Sequence, residues 1–124
     1  MIEVGEWIRT RAGHIHKITN IYPHYENEKL VYEEQIVELA GKHSGWKVYQ
    51  LESIIVKHSK NIIDLIKVKD IIEVLDNATG ENYITYIFDE SMIEAVKEDI
   101  KDNHIKLLGV LTHEQFNSIA YRLE

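Results

Sequence analysis

Strand-like patterning dominates the first half of the chain. Segments 6–10 and 14–22 are rich in β-branched and aromatic residues and flank Ala12-Gly13, which predicts a hairpin. Segments 29–39 and 46–58 predict two further strands, separated by the polar loop Gly41-Lys42-His43-Ser44-Gly45. Ser59 is placed to cap a short turn through Asn61-Ile62-Ile63-Asp64-Leu65. In the second half, segment 70–75 predicts a strand, Asp76-Asn77-Ala78-Thr79-Gly80 a turn, and 83–88 another strand. Ser91-Met92-Ile93-Glu94 has the form of a capping box, and Met92, Val96 and Ile100 follow at helical spacing, so a helix is predicted over 91–101. Segment 104–111 predicts a strand. Thr112-His113-Glu114-Gln115 is a second capping box opening a short helix to Ala120, with Tyr121-Arg122-Leu123 as a closing strand.

The two halves echo each other. Val4-Gly5-Glu6-Trp7-Ile8 matches Val68-Lys69-Asp70-Ile71-Ile72 in pattern at an offset of 64, and Ile55-Val56-Lys57-His58-Ser59 resembles Gly109-Val110-Leu111-Thr112-His113 at an offset of 54. Each half reads strand, turn, strands, strand, short helix, final strand, the order of a small SH3-like barrel. The expected class is therefore mainly β to α+β: two SH3-like β units with one or two short helices, residues 1–66 and 67–124, packed as one body.

Composition narrows the chemistry. The chain has 124 residues, enough for a real core without disulfides or metals. It has no cysteine, which removes disulfide scaffolds, thiolate zinc sites and cysteine nucleophiles. Acids stand where a signal peptide would carry a basic run, and no apolar run approaches the roughly 18 residues of a membrane helix, so a cytoplasmic protein without membrane partners is expected. The net charge of −7 is uneven: residues 1–62 hold eight Lys/Arg against eight Asp/Glu, and residues 63–124 six against thirteen. Duplex DNA is a disfavoured partner, because its affinity rests on Lys and Arg neutralising phosphates. A small anion suits the first half, which also holds five of the seven histidines, and a basic partner the second.

No Walker loop, Rossmann fingerprint, nucleophile elbow or zinc-protease motif is present. Gly41 to Gly45 reads as a plain hairpin loop rather than a phosphate-binding turn. His14 and His16 share one strand face, with His24 as a conceivable third ligand, but a solvated face is the simpler reading and no metal or other cofactor is assigned. Arg9, Arg11, His14, His16 and Lys17 gather about one hairpin, and with Tyr22 they are the candidate ligand-binding residues. Trp7, Arg9 and Arg11 fall on one face by the period-two rule, and arginine beside an aromatic ring suits a planar anion. The competing reading is a charged, solvated hairpin edge. No pair of carboxylates is placed as an acid and base, so no catalytic residue is assigned. Glu94, Glu98, Asp99 and Asp102 lie in the acidic run 89–102, a wet helix face or a surface for a host protein.

Val4 to Thr10, Val56 to Ile66, and Leu111 to Phe116 with Tyr121-Arg122 resemble small proteins of unassigned activity encoded in phages and prophages of clostridia and related Firmicutes. The resemblance spans nearly the whole chain, and 56–66 is its most specific part. This chain departs from that pattern at Lys69, where a glycine is usual, and in extra length around Ser91 to Asn103. The resemblance implies phage origin and, with it, counter-defence. The leading expectation is a non-enzymatic binding protein that sequesters a nucleotide-like immune signal as a homo-oligomer in the host cytoplasm. The alternatives are an acidic, anti-CRISPR-like inhibitor of a host defence complex, and a small nucleotide hydrolase using His14, His16 or His58 as base.

Overall fold

The computed structural model describes residues 1–42 and 45–119. Strand accounts for 39% and helix for 26%, in curled antiparallel sheets with three helices, so the class is mainly β to α+β. The chain divides into two compact units, Met1–Leu65 and Ile66–Glu124.

Unit 1 opens with the predicted hairpin, β1 (Trp7–Thr10) and β2 (Ile15–Tyr22). Its turn closes through Gly13, at φ +83°, whose N–H donates to Thr10 O at 2.9 Å, while Thr10 Oγ1 accepts the His14 N–H at 3.1 Å. The strand predicted over 29–39 is broken. Tyr25–Glu26 (β3) and Lys29–Leu30 (β4) form a small hairpin around Asn27 and Glu28, both with positive φ, and a 3-10 turn at Tyr32–Glu34 precedes β5 (Ile36–Leu39). The strand predicted over 46–58 is also interrupted. After β6 (Trp46–Lys47) comes a short helix, α1 (Val48–Glu52), and only then β7 (Ile55–Ser59). Val48 and Leu51, three apart, are both buried on one face of α1, and Gln50 Oε1 accepts the Lys47 N–H at its start. Five strands form one sheet in the order β6-β5-β2-β1-β7. Its core face carries Ile8, Ile18, Val37 and Leu39, closed by Val48 and Leu51 of α1 and by Ile2.

Unit 2 is a three-stranded sheet, β10-β8-β9, of β8 (Ile71–Asp76), β9 (Asn82–Tyr86) and β10 (Ile105–Leu111). Between β9 and β10 runs α2 (Glu90–Lys101), burying Ile93 and Val96. Its N-cap is Asp89, two residues before the Ser91 of the predicted capping box; the Asp89 carboxylate accepts the Met92 N–H at 3.0 Å, and Ser91 donates its hydroxyl to Asp89. Thr112 does cap α3 (His113–Ile119), accepting the Gln115 N–H at 3.3 Å. The predicted closing strand at Tyr121-Arg122-Leu123 lies outside the described residues.

The sequence echo at an offset of 64 is a shared backbone device. Each unit enters its first strand, β1 or β8, through the same tight turn. Glu6 N donates to Glu3 O, and Asp70 N to Lys67 O, both at 3.1 Å. Gly5 and Lys69 hold φ of +88° and +80°. Gly5 N donates to Ile18 O at 2.9 Å and Lys69 N to Ile87 O at 2.8 Å, and Ile18 and Ile87 return the bond to Glu6 O and Asp70 O. The acid then reaches back three residues: Glu6 Oε1 accepts Glu3 N, and Asp70 Oδ2 accepts Lys67 N. Glycine takes such a φ at no steric cost, whereas lysine is strained there.

Candidate functional site

The β1–β2 register decides which candidates meet. Ile8 stands opposite His16, Trp7 opposite Lys17, and Arg9 opposite Ile15. Directly opposed residues project to the same face, so His16 shares the core face with Ile8 while Arg9 and Lys17 occupy the other. The hairpin cations therefore do not form one cluster. Arg9 is fully buried and donates from Nη1 to Leu65 O at 2.9 Å, a structural role. Lys17 stands 5.6 Å above the Trp7 ring. Arg11 is exposed, its backbone N–H bonded to Ile54 O. Tyr22 is exposed near the far end of β2; its hydrogen bond to Glu38 holds the phenol above its usual range.

His14 and His16 do come together, with ring centroids 5.9 Å apart in an edge-to-face arrangement. They line a pocket of about 390 Å³ at one end of the core face. Its other walls are Thr10, Lys42 and Trp46, over an apolar floor that includes Leu39, Leu51 and Ile54. This volume is within the roughly 300–1,000 Å³ of small-molecule sites, and an apolar wall with a few convergent polar groups is their usual make-up. Burial lowers the pKa of His16, and the nearby charges of Lys42 and His14 push it the same way. A negative charge placed here would relieve that repulsion, so anion binding and protonation of His16 favour one another.

Lys42 and Trp46 are the residues that sequence patterning missed. Lys42 follows Gly41 and Trp46 opens β6, which pairs with β5, and both line the pocket beside His16. Trp46 stands opposite Val37, on the core face, and keeps 37% of its surface exposed at the pocket. A Cβ at Gly45 would overlap Ile36 Cγ2, so glycine is required for the strands to close at this point. His24, the third histidine of the first half, lies apart, paired at 3.4 Å with Glu26.

The acidic candidates of unit 2 share one region of surface. Glu94, Glu98 and Asp102 repeat every four residues along α2 and its C-cap, with Asp99 alongside, and all four are exposed. Glu94 lies 3.6 Å from Lys97, and Asp99 lies 3.6 Å from His104. Such exposed pairs bind weakly and leave the region acidic.

One further side-chain pair resembles catalytic geometry. His58 Nδ1 is 2.8 Å from Oε2 of the buried Glu6, beside a cleft of about 210 Å³ lined by Ile2, Glu52, Ile55, Val56, Lys57 and His58. Burial raises the Glu6 carboxyl, but hydrogen bonds from His58 and the Glu3 amide, and the charges of His58 and Lys60, outweigh it and hold the pKa below its usual value.

Comparison with protein-family models, with curated proteins and with solved structures finds no match for this chain. No helix among the described residues is long and apolar enough to cross a membrane.

Proposed function

We propose that unit 1 is a non-enzymatic module that captures an anionic small molecule bearing a planar ring, with nucleotide-like immune signals as the ligand class. The carrying observation is the pocket where His14, His16 and Lys42 meet Trp46 over an apolar floor. Phosphate oxygens would be held by the imidazoles and Lys42, and the ring would pack on Trp46. Arg9 has no part in this reading, and Arg11, Lys17 and Tyr22 lie outside the pocket. The wider reading is a phage counter-defence protein of the host cytoplasm, built from two SH3-like units and working as a homo-oligomer. The shared entry turn supports the paired units, and exposed Tyr22, Tyr25 and Tyr49 offer apolar contact area for self-association.

Calorimetric titration with cyclic dinucleotides, cyclic trinucleotides and cyclic ADP-ribose isomers tests the pocket. One of these should bind saturably, at least tenfold more weakly after Lys42→Ala or Trp46→Ala, and more tightly as the pH is lowered from 8 to 6. No binding by any of them would end this reading. Light scattering at micromolar concentration tests the assembly: a mass of one chain at every concentration would remove the homo-oligomer.

The acidic region on α2 favours a second reading, an inhibitor that engages a basic surface of a host defence protein. Pull-down from host lysate with Glu94, Glu98, Asp99 and Asp102 changed to lysine should lose the partner. The hydrolase reading ranks last. His58 has an orienting carboxylate in Glu6, yet His14 and His16 are flanked by Lys42 rather than by an acid. Turnover of a candidate nucleotide, abolished by His16→Ala, would reverse this order.

A further inference from the structure

Four strands end the two larger sheets: β6 and β7 in unit 1, β9 and β10 in unit 2. An edge strand carries unpaired backbone groups, and proteins guard such edges with shortness, lysine, proline or a bulge. Three of these four edges are guarded. β6 is two residues long and ends on Lys47, β7 carries Lys57 and His58, and β10 has Lys106 and a register shift between Leu107 and Gly109. β9 has none of these devices. From Asn82 to Phe88 the chain holds no charge and no proline, and the register of β9 with β8 runs without a shift.

The open side of β9 follows from its hydrogen bonds. Asp76 N donates to Glu81 O, and Ile87 N to Asp70 O, both at 2.9 Å. Bonded pairs alternate along an antiparallel ladder, so Tyr83 and Thr85 also bond to β8, while the N–H and C=O groups of Asn82, Ile84 and Tyr86 point away from it. Among the described residues nothing pairs with that row. Ile84 is 70% exposed, and Tyr83 and Tyr86 are 46% and 41% exposed. Exposed apolar side chains along an unguarded edge are a template for a further strand.

We propose that β9 pairs antiparallel with β9 of a second copy about a two-fold axis at Ile84, joining two three-stranded sheets into one of six strands. This gives the homo-oligomer proposed above its seam, and it rests on that reading. The strand is complementary to itself, as an isologous contact requires. With Ile84 opposite Ile84 of the second copy, Asn82 falls opposite Tyr86, so the outward backbone groups meet in bonded positions and form about six hydrogen bonds. Tyr83 falls opposite Thr85 at the closer, non-bonded positions, an aromatic–β-branched pair made twice by symmetry. The flanking acids do not meet, because Glu81 stands opposite Ile87 and Asp89 opposite Thr79. A parallel arrangement would instead set Glu81 against Glu81, in a chain that already carries a net charge of −7.

The test is light scattering of the full chain across micromolar concentrations. The wild type should be a dimer. Ile84→Lys sets a charge against itself at the axis, and Ile84→Pro removes an N–H that faces away from β8. Each should weaken the dimer roughly tenfold or more, with the circular dichroism of the fold retained. Hydrogen exchange gives a second readout that needs no variant: the amides of Asn82, Ile84 and Tyr86 should slow as the wild-type concentration rises. Changing Tyr22, Tyr25 and Tyr49 to serine should leave the dimer intact. A mass of one chain at every concentration would overturn the seam and the homo-oligomer together. A dimer kept by both Ile84 variants, a dimer lost with the three tyrosines instead, or a dimer in which those amides exchange freely would overturn the seam alone.

Discussion

The two entry turns share every backbone bond described above and differ in what their buried acid does next. Glu6 reaches past its own turn to the side chain of His58 on β7, 52 residues away. Asp70, one methylene shorter, accepts the first N–H of α3, 43 residues away. In unit 1 the carboxylate ends in a titratable contact with a half-exposed imidazole; in unit 2 it is a fully buried anchor for a helix. One methylene thus separates an adjustable closure from a rigid one.

That contrast makes Asp70→Ala the most costly change. Two part-buried amides lose a charged acceptor that is itself fully buried, and stability should fall by about 3–5 kcal/mol. Glu6→Ala should cost less, about 1–3 kcal/mol, because the stranded His58 can turn to water. Urea unfolding of both variants gives the answer, and equal losses would break the comparison.

Next in size is Gly45→Ala, at about 1–3 kcal/mol, because the new methyl overlaps Ile36 Cγ2, which must shift to admit it. Thermal unfolding measures the loss, and ligand titration should show the pocket weakened with it. The two turns can then be exchanged at their strained position. Lys69→Gly should stabilise by about 0.5–1 kcal/mol by removing a side chain from φ +80°, whereas Gly5→Ala should destabilise by about 1–2 kcal/mol. A loss of stability in Lys69→Gly would mean that its side chain contributes more than its strain costs.

The smallest effect is in the pH dependence. The Glu6 carboxyl titrates below its ordinary value of 4.5 when folded. The unfolded chain therefore takes up this proton first as pH falls, so the Glu6 contribution is complete above about pH 4.5 and disappears as pH drops through the lower folded value. The stability gap between wild type and Glu6→Gln should shrink across that acid limb. A constant gap from pH 6 to pH 3 would detach Glu6 from its proposed partner.

Features set within a few residues were legible in the sequence. The Ala12-Gly13 hairpin, the Asp76–Gly80 turn, α2 and the cap of α3 all carry their signal locally. The helix Val48–Glu52 was not, since five residues offer barely one helical repeat and Val48 and Tyr49 read as strand formers. The candidate site was half legible. His14 and His16 share a face by simple alternation, but Arg9 and Lys17 were grouped with them by nearness along the chain. Only the register Ile8 opposite His16 sends them to opposite faces. Lys42 and Trp46 reach the pocket through β5–β6 pairing, and the buried acids find His58 and His113 across 52 and 43 residues, distances no local pattern encodes.

The placement of the two tryptophans turns the protein into its own optical instrument. Trp7 lies beneath Lys17 on the outer face of the hairpin, and Trp46 lines the pocket on the inner one. In a Trp7→Phe background all indole emission comes from Trp46, so its intensity and wavelength report the solvent and charge beside His16 directly. An unlabelled molecule entering the pocket announces itself in that signal.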